Sequence, residues 1–514
     1  MKKNHLPLIA VLLLISGIFS SCARRPHRQA KRPNIVFIMS DDHAYQAISA
    51  YGYGLNHTPY IDSLAHEGIR FTHAFVNNSL CAPSRAAILT GKYSNLNGIK
   101  GNGGEVFDGT QVTFPQLLQR AGYQTAMIGK WHLISDPTGF DYWNILPGQG
   151  DYYNPDFIRG GDTMRVKGYV TDLITDDALK WLDQRDSTKP FCVLVWNKAP
   201  HRDWMPALKY LNEFDSVTIP VPSTLFDDYS TRTRAAHEQK MEIGKWLSPD
   251  YDLKEEMFPK KMHRYDDLWN SVFGRLSPEE QQTFAKAYKP ENDAFRKAHL
   301  SGKDLTIWKY ERYVKDYLRV IQSVDDNVGR IMDYLREHGL DKNTIVIYTA
   351  DQGFYLGEHG WFDKRFMYKE SFRTPLIIRW PAVIKPGQVN GDPVMNVDLG
   401  ETLLDAAGVA IPDEMQGASM LPILKGNKPD NWRKYVYYHY YESGGEHNVA
   451  KHIGVRSDRY KLIYFYENKE WELYDMQKDA DELDNVYGKP AYKGIQDSLK
   501  QQLRIQMKKY KDSV

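Results

Sequence analysis

Short, unbroken apolar runs recur along this 514-residue chain, and each ends in residues of catalytic type. The run at 34–39 leads into Ser40-Asp41-Asp42, and the run at 123–128 into Gly129-Lys130-Trp131-His132. The run at 191–196 leads into Asn197-Lys198-Ala199-Pro200-His201, and the run at 344–349 into Ala350-Asp351-Gln352-Gly353. Strands buried on both faces of a parallel sheet have this continuous texture rather than an alternating one. Ligands of open α/β sheets bind beyond the carboxyl ends of the strands. Four such ends carrying acids, lysines and histidines therefore predict one shared site.

Helical periodicity separates these runs. It is clearest over 308–338, where Tyr313, Tyr317, Ile321, Val324, Val328, Ile331 and Leu335 recur at three- and four-residue spacing before Gly339. Residues 221–305 hold no clear apolar strand and are rich in Lys, Glu and Asp; they read as a helical insertion at the rim of the site. Pro and Gly punctuate 381–412. From about residue 431 the texture becomes alternating and aromatic, over 435–441, 452–455, 460–465 and 471–474. That pattern predicts a small antiparallel sheet, closed by a terminal helix over 492–511. The fold expected is α/β: a large mixed, mostly parallel sheet flanked by helices over 33–410, then an α+β subdomain over 431–514.

The segment ahead of the first strand has another character. Met1-Lys2-Lys3, an apolar stretch over 6–19 and Ser20-Ser21-Cys22 form a basic start, a hydrophobic core and a small-residue cleavage site, with a core too short to span a bilayer. This reads as a lipoprotein-type signal peptide over 1–22. It would leave Cys22 as a lipidated first residue, a basic tether over 23–32, and a periplasmic or cell-surface protein held to the membrane. With 66 Lys and Arg against 65 Asp and Glu, the net charge of +1 supplies no global field for nucleic acid, so anions must be held by local basic clusters. Cys22, Cys81 and Cys192 are the three cysteines, too few for a disulfide framework.

Cys81 lies in Ser79-Leu80-Cys81-Ala82-Pro83-Ser84-Arg85-Ala86-Ala87-Ile88-Leu89-Thr90-Gly91. Proline is tolerated in a first helical turn, so Pro83-Ser84 reads as a helix start running through Leu89. Cys81 then stands at a helix N-terminus, where an anion is favoured, and Arg85 lies on the same face one turn on, placed to neutralise charge. The Cys-x-Pro-Ser-Arg run resembles the signature at which sulfatases convert cysteine to formylglycine. Over most of its length the chain resembles the formylglycine-dependent sulfatase family, whose fold is that of alkaline phosphatase. A hydrated aldehyde carries two hydroxyls on one carbon, one to attack sulfur and one to expel sulfate, which a thiol does not offer. A sulfatase-maturating enzyme acting on Cys81 is thus an expected partner.

The resemblance implies further roles. Asp41, Asp42, Asp351 and Gln352, with the modified Cys81, match the family's metal ligands. Oxygen donors suit a hard cation, and an exported protein meets calcium, so one Ca²⁺ is expected, with Mg²⁺ as the alternative. Lys130 and His132, two apart in what reads as an extended segment, match the pair that binds the nucleophile's hydroxyl and the sulfate, the histidine acting as base. His201 matches the histidine that protonates the leaving alcohol. Lys364, in Trp361-Phe362-Asp363-Lys364-Arg365, matches the lysine that clamps the sulfate.

The runs at 135–143, 147–153, 446–452 and 459–464 resemble the N-acetylglucosamine-6-sulfatase branch. They imply an exo-acting carbohydrate sulfatase for 6-O-sulfated N-acetylglucosamine in glycosaminoglycans or mucin glycans. Sugar recognition requires fixed polar groups and an aromatic wall, for which Asp363, His447, His452 and Trp361 are the candidates. Three other readings are a sulfatase for another sugar, a phosphonate or phosphate monoester hydrolase of the same superfold, and a lipoprotein that binds sulfated glycans without hydrolysing them.

Overall fold

In the computed structural model, which describes residues 32–257 and 265–514, the four apolar runs lie side by side as parallel strands. In chain order the strands are β1 (Asn34–Ser40), β2 (Ile69–Phe71), β3 (Ala74–Phe75), β4 (Gln124–Lys130), β5 (Tyr142–Leu146), β6 (Asp156–Arg159), β7 (Asp162–Arg165) and β8 (Phe191–Asn197). They continue with β9 (Thr344–Ala350), β10 (Leu376–Arg379), β11 (Gln388–Asn390), β12 (Val394–Met395), β13 (Val436–Tyr440), β14 (His452–Arg456), β15 (Tyr460–Phe465) and β16 (Glu470–Asp475). Ten of them form one sheet in the order β11-β2-β10-β9-β1-β8-β4-β5-β6-β7, parallel from β9 to β5 and antiparallel at β10, β6 and β7.

Register decides what this sheet presents. Ser40 lies opposite Asn197 and Ala350, and Gly129 opposite Trp196, so Asp41, Lys198, Asp351 and Lys130 leave the sheet at one level. Gly129 is needed for that alignment. It sits at φ 106°, and a Cβ there would come within 2.0 Å of the Trp196 carbonyl oxygen.

Alternate residues of each apolar strand supply opposite faces. Val36 and Ile38 join a core with the helices Val170–Gln184 and Gly302–Glu337, whereas Ile35, Phe37 and Met39 pack towards the helices Cys81–Thr90 and Asp398–Ala406. The long helix starts six residues before the clear periodicity and stops ahead of Gly339, which takes φ 63°.

The insertion over 221–305 carries helices and reaches the edge of the site, where Asp252 holds Arg202 and the Lys240 carbonyl meets His447, but it is more than an appendage. Its Trp269, Phe273, Phe284 and Tyr288 are buried in the same core as the long helix, on helices whose charged faces concealed a narrow apolar stripe. Strands β13 to β16 form a separate antiparallel sheet in sequence order, with the helix Lys493–Lys509 beside it. Arg32, expected in the tether, is already fixed: its Nη1 donates to the Ala121 carbonyl at 2.6 Å, and its own carbonyl accepts from Asn343 Nδ2 at 3.2 Å. The signal peptide and the rest of the tether lie outside the described residues. Among those described, no helix is long and apolar enough to cross a membrane.

Glu401 is a buried carboxylate behind the Cys81 helix. One oxygen accepts from the Gly417 amide at 2.7 Å and the other has no partner. Burial, then the charge of Asp398, pushes its carboxyl up to about 8. A carboxyl raised on folding costs no stability below its unfolded value near ~4.3; the cost grows as pH rises towards the folded value and is constant above it. Glu401→Gln is therefore expected to match the parent protein in stability near pH 4 and to exceed it increasingly up to pH 8, by on the order of a few kcal/mol at most, with the thermal midpoint following. A midpoint difference that stays flat across that range in thermal melts would contradict this.

Candidate active site

The aligned strand ends and the Cys81 helix build one buried cluster. Cys81 is the first residue of the helix Cys81–Thr90, two residues earlier than the Pro83-Ser84 start expected, because Leu80 already takes the extended conformation of a cap. Its Sγ stands in for the oxygens that a formylglycine hydrate would carry. Lys364 Nζ approaches it at 3.6 Å and Gln352 Nε2 at 3.9 Å.

Three carboxylates converge beside it. Asp41 and Asp42 follow β1, Asp351 follows β9, and one oxygen from each lies within 4.8 Å of the others. Asp42 takes φ 63°, so its amide donates to Asp351 Oδ1 at 3.0 Å and its carbonyl accepts from Tyr317 Oη at 2.6 Å. Three cations answer them. Lys130 Nζ contacts the Asp41 carboxylate and Gln149 Oε1, and Lys364 Nζ reaches both Asp42 oxygens at 2.5 and 2.6 Å. Arg85 Nε and Nη2 donate to Asp351 Oδ2 at 3.1 and 2.8 Å, and Nη2 lies 3.6 Å from Asp41 Oδ1. Its Nη1 donates to the Lys130 carbonyl, and Trp196 lies beneath the guanidinium at 5.3 Å. Arg85 therefore ties the carboxylates to the end of β4, a wider part than contact with the residue-81 group alone.

The donor set fits a hard cation. Asp41 Oδ1 and Gln352 Oε1 are buried without hydrogen-bond partners, as oxygens awaiting a ligand would be, and no imidazole or thiolate is needed to complete the group. Burial above all, with Asp351 and Asp363 adding and Lys364 opposing, pushes the Asp42 carboxyl up to about 6. Packing three carboxylates this closely is what a divalent ion would relieve.

The histidines flank the cluster. His201 Nδ1 donates to the Arg202 carbonyl at 2.5 Å, turning Nε2 towards Asp42 Oδ2 at 3.7 Å. Lys198 is held beside it, 3.6 Å from Asp203 and over the Tyr152 ring. His132 departs from the sequence expectation. It takes φ 58°, so it is not extended, and its place near Lys130 comes from a reversal of the chain after β4 rather than from strand alternation. Burial foremost, then the charges of Lys130 and its neighbours, draws both imidazoles below their usual range.

The proposed sugar contacts divide. Asp363 and His447 meet at the edge of the cluster. His447 Nε2 lies 3.5 Å from Asp363 Oδ1, its Nδ1 donates to the Lys240 carbonyl at 3.1 Å, and Arg365 Nε donates to Asp363 Oδ2 at 2.8 Å. Burial acts to raise the Asp363 carboxyl, but His447, Arg365 and Lys364 together hold it well below the usual range. His452 is fully buried with both ring nitrogens engaged, Nδ1 donating to the Ala450 carbonyl and Nε2 accepting from the Met367 amide, and has nothing left for a sugar. Trp361 is also fully buried, stacked on Phe366, with its Nε1 donating to Tyr229. It is a core ring, not an aromatic wall; its neighbours in space come from distant segments that composition did not disclose.

Sequence reasoning missed several groups. Ser84 Oγ donates to the Asp351 carbonyl at 2.5 Å and accepts from Asn396 Nδ2 at 2.9 Å. Arg202, next to His201, is gripped by Asp252 at 2.6 and 2.7 Å and also bonds Glu446. Only the position of Arg202 directly after His201 could have flagged it.

Comparison with known proteins agrees with this geometry. Residues 33–409 match the family model described as sulfatase, and 357–509 match the one described as N-sulphoglucosamine sulphohydrolase, C-terminal. The N-acetylglucosamine-6-O-sulfatase of Bacteroides thetaiotaomicron is 50% identical, covering 100% of this chain and 92% of the relative. The human N-acetylglucosamine-6-sulfatase is 29% identical over 86% of this chain and 74% of its own length. A solved structure in complex with its substrate D-glucosamine-2-N,6-O-disulfate superposes with a TM-score of 0.91 at 51% identity, covering 94% of this chain and 98% of that one. A nucleophile position at a helix head, three buried carboxylates with three cations, and a family match spanning most of the chain lead to one conclusion: the chain belongs to the sulfatase family, the hydrolases of sulfuric esters.

Proposed function

We propose that this chain is an exo-acting carbohydrate sulfatase that removes the 6-O-sulfate of glucosamine carrying an N-acetyl or N-sulfo group. The observation that carries the reading is the full-length, 50% identical relative named for that ester, supported by the 0.91 superposition on a complex with the 6-O-sulfated sugar. The Asp363–His447 pair supports it locally. Two fixed polar groups beside Lys364 are what a site needs to read sugar hydroxyls while the sulfate enters the cluster.

The working form is proposed to carry formylglycine at residue 81, whose hydrate supplies a hydroxyl to attack sulfur and a second to release sulfate. Asp41, Asp42, Asp351 and Gln352 would hold a calcium ion, which draws electron density from the sulfate oxygens. Lys130 and Lys364 hold positive charge on either side of the sulfur, where negative charge accumulates in the transition state. Arg85 fixes Asp351 relative to Lys130, so the cluster is assembled before substrate arrives. His201, beside Asp42, is placed to hand a proton to the departing sugar oxygen, and His132 to take one from the residue-81 hydroxyl. Export and a lipid anchor at Cys22 are inferred from residues 1–22 alone.

With residue 81 checked by mass spectrometry, N-acetylglucosamine 6-sulfate should be turned over in preference to its 3-sulfate and to galactose 6-sulfate. Chelator should abolish release, and Ca²⁺ should restore both activity and thermal midpoint better than Mg²⁺. Equal rates on all three sugars, or chelator-indifferent turnover, would refute the assignment. Asp363→Asn and His447→Ala should each lower kcat/KM on the sugar by about 10- to 1,000-fold, through hydrogen bonds of ~1.5–4 kcal/mol, while sparing an aryl sulfate. His201→Ala should cost more on the sugar than on the aryl ester, whose leaving group needs no proton. A thiol left unmodified at Cys81 is pushed up to about 12, chiefly by burial with Asp42 and Asp351 adding against Lys364. Iodoacetamide at pH 8 should therefore label it only after denaturation, and labelling of the native chain would contradict this burial.

A further inference from the structure

A basic cavity that shares no lining residue with the carboxylate cluster stands where the two-stranded pair β3–β12 meets the C-terminal sheet. Four strand ends converge there: His73 precedes β3, Pro393 precedes β12, Tyr435 precedes β13, and Arg456 closes β14. They enclose a cavity of about 410 Å³, within the ~300–1,000 Å³ usual for small-ligand pockets. Along β14, Arg456 lies four residues beyond His452, roughly 13 Å further along the strand.

The charges around this cavity are unevenly matched. Lys428 is paired with Asp392 at 2.5 Å, Arg459 with Asp475 at 2.8 and 2.7 Å, and Arg433 with Asp398 through both terminal nitrogens. Those pairs fix the walls. Arg456 and Lys434 line the same space with no ion pair among the described residues. The Arg456 guanidinium rests 4.6 Å over the Phe75 ring. Of the acids that feel its charge, Glu482 is bound to Lys461 at 2.5 Å, and Asp458 stays beyond ion-pair distance. Burial, opposed by those two acids, holds the guanidinium down to about 10, and His73 is drawn down to about 4 by burial and then by Arg456 and Arg373. A half-buried guanidinium held flat and left unpaired is a preorganised receptor for an oxyanion. Tyr435 lines the same wall, an aromatic group suited to a sugar rather than to a bare ion.

We propose that this cavity binds a sulfate or carboxylate group on a saccharide unit of an extended sulfated glycan, docking the polymer away from the catalytic cluster, with Arg456 and Lys434 as the anion contacts. The proposal rests on the carbohydrate-sulfatase reading for its choice of polymer. The cavity would let the enzyme stay on a long anionic chain whose terminal sugar is being processed.

The test separates docking from catalysis. A heparin-derived hexasaccharide stripped of 6-O-sulfate, which offers the catalytic cluster none of the ester it is proposed to cleave, is titrated calorimetrically into the parent protein, Arg456→Gln and Lys434→Gln. N-acetylglucosamine 6-sulfate turnover is followed in parallel. Losing either charge contact should weaken hexasaccharide binding at least about fivefold, the loss of one charge-assisted hydrogen bond, and leave monosaccharide kcat/KM unchanged. Lys434 is exposed, so its variant keeps the test sound if Arg456→Gln folds poorly. Hexasaccharide affinity unaltered in a folded variant overturns the docking site, whatever the monosaccharide assay gives. Retention at the cavity of inorganic sulfate but not the hexasaccharide overturns it too, since the site would then take only a small oxyanion. Absence of monosaccharide turnover with charge-dependent hexasaccharide binding would instead refute the catalytic reading and uphold this one.

Discussion

Three carboxylates and three cations, buried together at the ends of parallel strands, set the terms for the rest of this structure. A lone buried charge would cost several kcal/mol, so Asp41, Asp42 and Asp351 are stable in the interior only because Lys130, Lys364 and Arg85 arrive with them. The parallel register brings Asp41, Asp351 and Lys130 to one level without long loops. The helix beginning at Cys81 carries Arg85 one turn further, where it meets Asp351 and the end of β4. Each cation is committed to an acid, so the positive field meets a substrate with its geometry already paid for by folding.

Four of the residues that depart from ordinary backbone geometry stand at this place. Asp42, His132, Asp363 and Arg365 all take positive φ, with values of 63°, 58°, 76° and 96°. None is glycine, and such conformations persist only where surrounding contacts over-determine them. The Asp42 amide and carbonyl bonds and the Arg365–Asp363 pair are those contacts.

The sequence disclosed the parts of this arrangement that depend on local pattern. The four central strands, the long helix and the aromatic C-terminal sheet were legible because each follows a period of apolar positions, and the strand ends named Asp41, Lys130, His201 and Asp351 before any coordinates. What local pattern omits is direction in space. His132 was read as extended because two residues past a strand usually are, and its positive φ has no sequence signature. Trp361 and His452 were taken for sugar contacts because aromatic and imidazole groups suit that work. Their burial depends on Tyr229, from a distant stretch of chain, and on Phe366 and Met367, which follow Trp361 by five and six residues. The core role of the 221–305 segment was hidden by its high charge, since a helix needs only a narrow apolar stripe to be anchored.

The stretch from Trp361 to Phe372 serves two structures at once. Lys364 enters the charged cluster, while Trp361, Phe366 and Tyr368 are packed into the same hydrophobic cluster as Tyr438, Phe465 and Tyr474 of the second sheet. Lys364 therefore has its footing in the C-terminal subdomain. In evolutionary terms the two sheets are not exchangeable modules: a lineage that replaced the second sheet to read a new sugar would also have had to re-seat the lysine that faces residue 81. Diversification of specificity is thereby steered towards side-chain changes along the seam and away from wholesale swapping of the subdomain.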